Sequence, residues 1–256
     1  MDMKLKGKTA LITGGSKGIG LAAAESFLAE GCNVILVARN KDELAKASEQ
    51  LNAIGPKVKT ITADLSKSEE VDRVGREAGD IDILVNNAGA VPPGKLVDLD
   101  AKSWRAGWDL KLFGYIDLSR IFYAKMTARG GGVIVNVIGV SGEDNIPGYI
   151  AGSTGNAGLM AFTRTLGKLS CKDGIRVVGI NPGPVRTERN EMMRRFRAKE
   201  LTGDEERFRE QYAVMPFGRP AHPAEIGDAV VFLASERSGY TTGTILTIHG
   251  GGVYGY

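Results

Sequence analysis

The 256-residue chain is 43% hydrophobic and 25% charged, with a formal net charge of +3. That balance suits one large α/β domain over residues 1–256, and the mild charge, with no basic stripe interleaved with aromatics, does not point to nucleic acid. No apolar run approaches the ~18 residues of a membrane span, the first eight residues lack a signal-peptide core, and the two cysteines, Cys32 and Cys171, stand outside any CxxC or Cys/His cluster. The expectation is a cytoplasmic protein without membrane or metal site, both thiols reduced in the core.

Short β-branched runs alternate with longer helical patterns along the chain. A strand is expected at 9–13, a helix at 18–30, a strand at 33–38 and a helix at 41–53. The rhythm continues with strands at 58–62 and 81–86 around a helix at 68–77, then one long helix at 101–129 and a strand at 133–138. A helix at 149–170, a strand at 175–180, a helix at 222–234 and a strand at 244–248 complete it. About seven strands that read as continuous apolar runs, separated by helices, predict a doubly wound, Rossmann-type α/β fold: a parallel sheet with helices on both faces. Its ligand crevice lies beyond the carboxyl ends of the strands. Residues 186–219 break the rhythm. Their mixed Arg and Glu content predicts an inserted helical lid, either a solvated salt-bridged surface or a trap for an anionic substrate.

The stretch Thr13-Gly14-Gly15-Ser16-Lys17-Gly18-Ile19-Gly20 follows an apolar strand and opens a helix. There, backbone N–H groups and the helix dipole favour a pyrophosphate. Gly14 permits the tight turn, Gly18 lets backbone meet phosphate and Gly20 lets helix pack on strand.

Four further motifs stand at matching distances: Thr62-Ala63-Asp64-Leu65, Asn86-Asn87-Ala88-Gly89, Asn181-Pro182-Gly183-Pro184-Val185-Arg186-Thr187, and Tyr149 nine residues before Gly158-Leu159. Together they resemble the short-chain dehydrogenase/reductase family over nearly the whole chain. The resemblance implies that Gly14, Ser16, Lys17, Gly18, Ile19 and Gly20 hold a dinucleotide. It implies that Asp64 and Leu65 meet the adenine, that Asn87, Ala88 and Gly89 line the cofactor, and that Pro182, Gly183, Val185 and Thr187 hold the nicotinamide carboxamide near Tyr149. A homodimer or homotetramer acting on a small molecule is implied too, with Gly155, Ala157, Gly158 and Ala161 letting helices approach.

Cofactor choice is read from charge. An NAD site wants a carboxylate at the end of the second strand, where this chain has Ala38. Arg39 and Lys17, with no acid opposing them, converge instead on a 2′-phosphate, so NADP(H) is favoured over NAD(H).

The family's catalytic pattern is mostly replaced. The resemblance assigns the general acid/base to Tyr149, but its lysine partner falls on Ser153, its serine on Gly139 and its asparagine on Lys111. Lys111 is one candidate to restore an ammonium near Tyr149, against the reading of a plain surface lysine. Ser141, two residues past the vacant serine position, is a candidate donor to substrate. Glu143 and Asp144 read as loop caps, His222 as a helix-start residue, and Trp104 with Trp108 as core or subunit contacts. Three functions stay open: an NADP(H)-linked oxidoreductase on a carbonyl/alcohol pair, a nucleotide-binding protein without redox chemistry, and a lyase or isomerase using Tyr149 as an acid.

Overall fold

The computed structural model describes residues 2–55 and 57–251. Seven strands form one parallel sheet in the order β3-β2-β1-β4-β5-β6-β7. They are β1 (Thr9–Thr13), β2 (Asn33–Ala38), β3 (Lys57–Thr62), β4 (Ile83–Asn86), β5 (Gly132–Val137), β6 (Ile175–Pro182) and β7 (Ile245–Ile248). The strands are nearly all apolar because both sheet faces are covered. In β1, Ala10 and Ile12 enter one core while Leu11 enters the other.

One face is covered by α1 (Gly18–Ala29) and α2 (Lys41–Asn52), with Phe27, Leu28 and Leu44 fully packed. The opposite face is covered by α3 (Ser68–Glu77), α4 (Ala101–Trp108) and α5 (Gly114–Arg129), through Val71, Val74, Leu118 and Phe122. A short α6 (Ser141–Asp144) precedes α7 (Ile150–Ser170), whose Leu159 and Met160 pack with Tyr115 and Ile138. Then come α8 (Glu188–Thr202), the one-turn α9 (Glu210–Ala213) and α10 (Pro223–Ala234). The last returns to the first face, where Gly227 allows α10 so near α1 that a Cβ would stand 2.9 Å from Ala22 backbone. Strand order reverses between β1 and β4, so the loops after these strands diverge and open the crevice.

The long helix expected at 101–129 is corrected: a π-helical segment, Asp109–Phe113, separates α4 from α5. Gly114 N donates to Asp109 O, five residues back, and Gly114 lies so close to the chain after β3 that a Cβ would be 3.0 Å from Leu65 O. The extra residue rotates Lys111 relative to α5, a feature that helical periodicity does not register. Cys32 is buried, its thiol pushed up to about 12 by burial, but Cys171 is exposed and not in the core. Gly155, expected on a helix-packing surface, is buried against Trp108, whereas Ala157, Gly158 and Ala161 are exposed. Residues 252–256 lie outside the described residues.

Residues 186–219 fold around α8 and α9 with a 3-10 turn, Glu205–Arg209, between them. Arg195 pairs with Glu191 at 3.0 Å and with Glu206, and its guanidinium lies over Phe208 at 4.3 Å. This mixed-charge packing is local to the segment, which stands at the carboxyl end of the sheet.

Candidate active site

Loops after β1, β4, β5 and β6 surround a cleft of about 1710 Å³. Its phosphate end is built by backbone. Gly14 and Gly18 adopt left-handed φ of +64° and +58°, and a Cβ at Gly20 would stand 2.2 Å from Gly14 O. Only glycine satisfies these positions. Lys17, the N-cap of α1, contributes no side-chain acceptor to the first turn, so its amides face the cleft without an internal cap. Ser16 and Ile19 line the same turn.

Two distant loops close around it. Thr13 Oγ1 accepts from Asn87 N at 2.8 Å and Ala88 N at 2.9 Å, while Asn87 Nδ2 donates to Thr13 O at 2.9 Å. The Thr187 methyl stands 3.3 Å from where a Cβ of Gly18 would be. Pro182 ends β6, Gly183 N donates to Ile248 O at 2.9 Å, and Val185 bridges to Ala221. At the other end, Leu65 is buried, and Asp64 accepts from Ser66 Oγ at 2.8 Å and Ser66 N at 3.2 Å. Burial opposes its charge, but the Ser66 bonds hold the carboxyl below its ordinary value. Open first-turn amides, glycines that exclude any Cβ, and a carboxylate at the far end together fit a dinucleotide. The residues that the sequence proposes for the cofactor line this one cleft, except Gly20 and Asp64, which stand beside its lining residues Ile19 and Leu65.

Charge at the ribose end differs from the expectation. Lys17 is not unopposed: it pairs with Glu43 and Glu188, each at 3.1 Å, and Ser16 Oγ donates to Glu43 at 3.2 Å. The hydrogen bond to Glu43, then that to Glu188, raises the Lys17 pKa. The acids come from the first turns of α2 and α8, where capping favours them. Arg39, exposed beside them, makes no ion pair among the described residues.

Tyr149 is the N-cap of α7, and its ring lies along the first turn so closely that a Cβ on Gly152 would stand 2.0 Å from Cε1. Arg189, in the first turn of α8, donates through Nη2 to Tyr149 Oη at 3.3 Å and to Val91 O at 2.6 Å. The cation hydrogen-bonded to the phenol is therefore Arg189, not Lys111. Lys111 instead directs its ammonium to Ile138 O at 2.9 Å, Val137 O at 3.0 Å and Tyr115 Oη at 3.2 Å, while Tyr115 donates to Val137 O at 2.9 Å. Three acceptors consume its three N–H groups. Gly89 makes room for the lysine stem, since a Cβ there would be 2.6 Å from Lys111 Cδ. Burial first, and the nearby Arg189 guanidinium second, push the Lys111 pKa down to about 7. Ser153 is buried and accepts from Ile146 N at 3.1 Å.

Gly139 has φ +134°, and a Cβ there would stand 2.9 Å from Asn156 Nδ2. That amide donates to Ser141 Oγ at 2.8 Å, with both side chains buried at the cleft wall. Because the Ser141 oxygen accepts from Asn156, its own proton stays free for a ligand. Sequence reading missed Arg189 and Asn156. Asn156 had a signal: it lies seven residues after Tyr149, on the same helix face, where a polar residue breaks an apolar stripe. Arg189 had only its place two residues past Thr187. The histidines stay outside this constellation: His222 N donates to Glu225 at 2.6 Å, and His249 Nδ1 accepts from Gly251 N at 3.1 Å. Trp108 Nε1 donates to Ala151 O at 3.0 Å, a contact inside the chain.

A reversing parallel sheet with a glycine turn clasped at its switch point defines a nicotinamide-dinucleotide-binding α/β protein of the dehydrogenase class. Residues 8–198 match the short chain dehydrogenase family, and the chain belongs to it. The 3-oxoacyl-(acyl-carrier-protein) reductase of Thermotoga maritima is 34% identical over 253 residues, covering 97% of this chain and 99% of that one. Oxidoreductase UcpA of Salmonella typhimurium is 35% identical, covering 97% and 95%. Among solved structures, L-sorbose reductase from Gluconobacter frateurii, complexed with NADPH and L-sorbose, superimposes with TM-score 0.91 at 35% identity, covering 98% of each chain. NAD+-bound xylitol dehydrogenase gives 0.90 at 27% identity, covering 97% of this chain and 100% of that one. Similar proteins thus carry either dinucleotide.

The lowered Lys111 pKa fixes a sign. The folded chain releases this proton near pH 7 and the unfolded chain only near 10.5, so the unfolded state binds more protons between them and folding stability rises with pH through that window. Lys111→Met removes the desolvated ammonium while Tyr115 still satisfies Val137 O. Thermal unfolding should show the variant more stable than the parent at pH 6, with a smaller gap at pH 9. A gap that widens with pH would contradict the assignment.

Proposed function

We propose that the protein is an NADP(H)-linked oxidoreductase interconverting a carbonyl and an alcohol, with Tyr149 as proton donor and residues 186–219 as the lid over the substrate. The observation that carries the reading is the Arg189–Tyr149 contact, at 3.3 Å, in the cleft shared with the glycine turn. When bound, the reduced nicotinamide supplies the hydride. Tyr149 Oη gives its proton to the carbonyl oxygen; because Arg189 donates to the same phenolic oxygen, that proton remains available and the phenolate left behind faces a guanidinium. Ser141, held by Asn156, donates a second hydrogen bond to the developing alkoxide. Lys111 adds positive charge from the cleft floor without touching the phenol. Pro182, Gly183, Val185 and Thr187 would hold the nicotinamide, and Asn87, Ala88 and Gly89 would line the cofactor after β4.

Tyr149→Phe should lower kcat by roughly 100-fold or more, the scale of a lost general acid, while NADPH affinity by calorimetry stays within a few-fold. The test is turnover across a panel of ketones and aldehydes followed at the nicotinamide absorbance. Dinucleotide binding with no turnover by the parent protein would replace this reading with that of a nucleotide-binding protein, and product without nicotinamide oxidation with that of a lyase or isomerase.

Preference for the phosphorylated dinucleotide rests on Arg39, assisted by Lys17. Arg39→Ala should weaken NADP+ at least 10-fold with little change for NAD+, whereas Glu43→Gln, which frees Lys17 from one carboxylate, should tighten NADP+ severalfold. Equal affinities for both dinucleotides in the parent would defeat the assignment.

A cytoplasmic homodimer or homotetramer is the assembly we propose; the half-exposed Phe113 and Leu169 and the exposed Ala157, Gly158 and Ala161 support the oligomer. Light scattering should give a multiple of the 27.3 kDa chain mass; a monomeric mass at micromolar concentration would rule this out.

A further inference from the structure

We infer that the substrate carries a carboxylate one or two carbons from the reacting carbonyl, as in a 2-oxo or 3-oxo acid, and that Arg189 anchors it. The inference rests on the reductase reading of the same cleft and adds the substrate class.

Arg189 is half-buried in the cleft and donates through Nη2 only to Val91 O and Tyr149 Oη. Its Nε and Nη1 groups meet no acceptor among the described residues. A guanidinium taken partly out of water normally finds a carboxylate, and the arginine six residues later on the same helix does so, Arg195 pairing with Glu191 and Glu206. Of the acids that line the cleft, Glu188 and Glu43 hold Lys17, Glu25 accepts from Gln50 Nε2 at 2.7 Å, and Glu200, eleven residues further along α8, makes no ion pair with Arg189.

A second cation, Lys111, lies near enough for Arg189 to depress its pKa. Around Tyr149 the cleft thus presents a guanidinium, an ammonium and the Ser141 hydroxyl, with no carboxylate bonded to either cation among the described residues. Two like charges sharing a cleft cost energy that an anionic ligand offsets.

Geometry narrows the anion. Nη2 spends both its N–H groups on Val91 O and Tyr149 Oη, which leaves Nε and Nη1 as separate donors on either side of it. A carboxylate oxygen accepting from either lies only a few ångströms from a carbonyl oxygen at hydrogen-bond distance from Tyr149. That separation suits one or two intervening carbons. Reduction then delivers a hydride from NADPH to the carbonyl carbon and the Tyr149 proton to its oxygen, giving a 2- or 3-hydroxy acid and NADP+; solvent returns the proton to Tyr149, and the carboxylate does not react.

The test compares 2-oxobutanoate and 3-oxobutanoate with the neutral 2-butanone in the parent protein, Arg189→Met and Arg189→Lys, alongside calorimetric titration of the NADP+ complex with malonate, which cannot turn over. The expected result is kcat/KM for the oxo acids roughly 10- to 100-fold above the ketone. Arg189→Met should erase that ratio and Arg189→Lys partly restore it, with malonate binding following the same order. Turnover falling equally for acid and ketone in Arg189→Met would show that Arg189 serves only the phenol, and would overturn the inference. So would a parallel loss of NADP+ affinity, which would assign Arg189 to the cofactor. If nothing turns over, malonate binding that depends on Arg189 still supports the anion site while removing the reductase reading; absence of malonate binding removes the anion site.

Discussion

The cleft depends on a clasp between two loops that the sheet topology drives apart. At the switch point, the chains leaving β1 and β4 run to opposite faces, and Thr13 and Asn87 tie their first residues together through hydroxyl, amide and backbone. Because Asn87 Nδ2 also reaches Gly14 O at 3.3 Å, the clasp fixes the glycine turn itself. A side chain at Gly14 would meet that amide at 2.9 Å, so the absence of a Cβ and the presence of the asparagine are one constraint.

The surroundings of the phenol are assembled from several elements. Asn156 of α7 holds Ser141 of α6 beside the bare backbone of Gly139. The cation at Tyr149 Oη comes from α8 as Arg189. Lys111, in the π-helical segment, serves the end of β5 by donating to Val137 O and Ile138 O. The group that touches the phenol thus stands on a different helix from the one that Tyr149 caps.

That dispersal explains what was legible in the sequence. The strands follow from apolar runs to within a residue or two, because burial on both faces leaves little freedom of pattern. The cleft-lining turns were readable because each is contiguous: Gly14 to Ile19, Asn87 to Gly89, Pro182 to Thr187. What was not readable joins distant segments. Glu43 reaches Lys17 across 26 positions and Glu188 across 171, so the charge balance around the ribose required the fold. Likewise Arg189 and Tyr149 are 40 positions apart, and the π segment at Lys111 changes register without changing composition.

Lys111 and Arg189 decide the electrostatic character of the reaction end. Lys111 spends all three N–H groups on neutral oxygens, which orient the ammonium without cancelling its charge, and burial denies it water. Burial first, and the Arg189 guanidinium second, depress the Lys111 pKa. Any negative charge appearing between the two cations, a phenolate or a ligand carboxylate, opposes that shift and favours the protonated lysine again. A proton taken up as a monoanion arrives then offsets the charge that the anion brings. The site therefore stabilises negative charge through its own unfavourable resting state, a property that neither a lone surface lysine nor a salt-bridged arginine would confer.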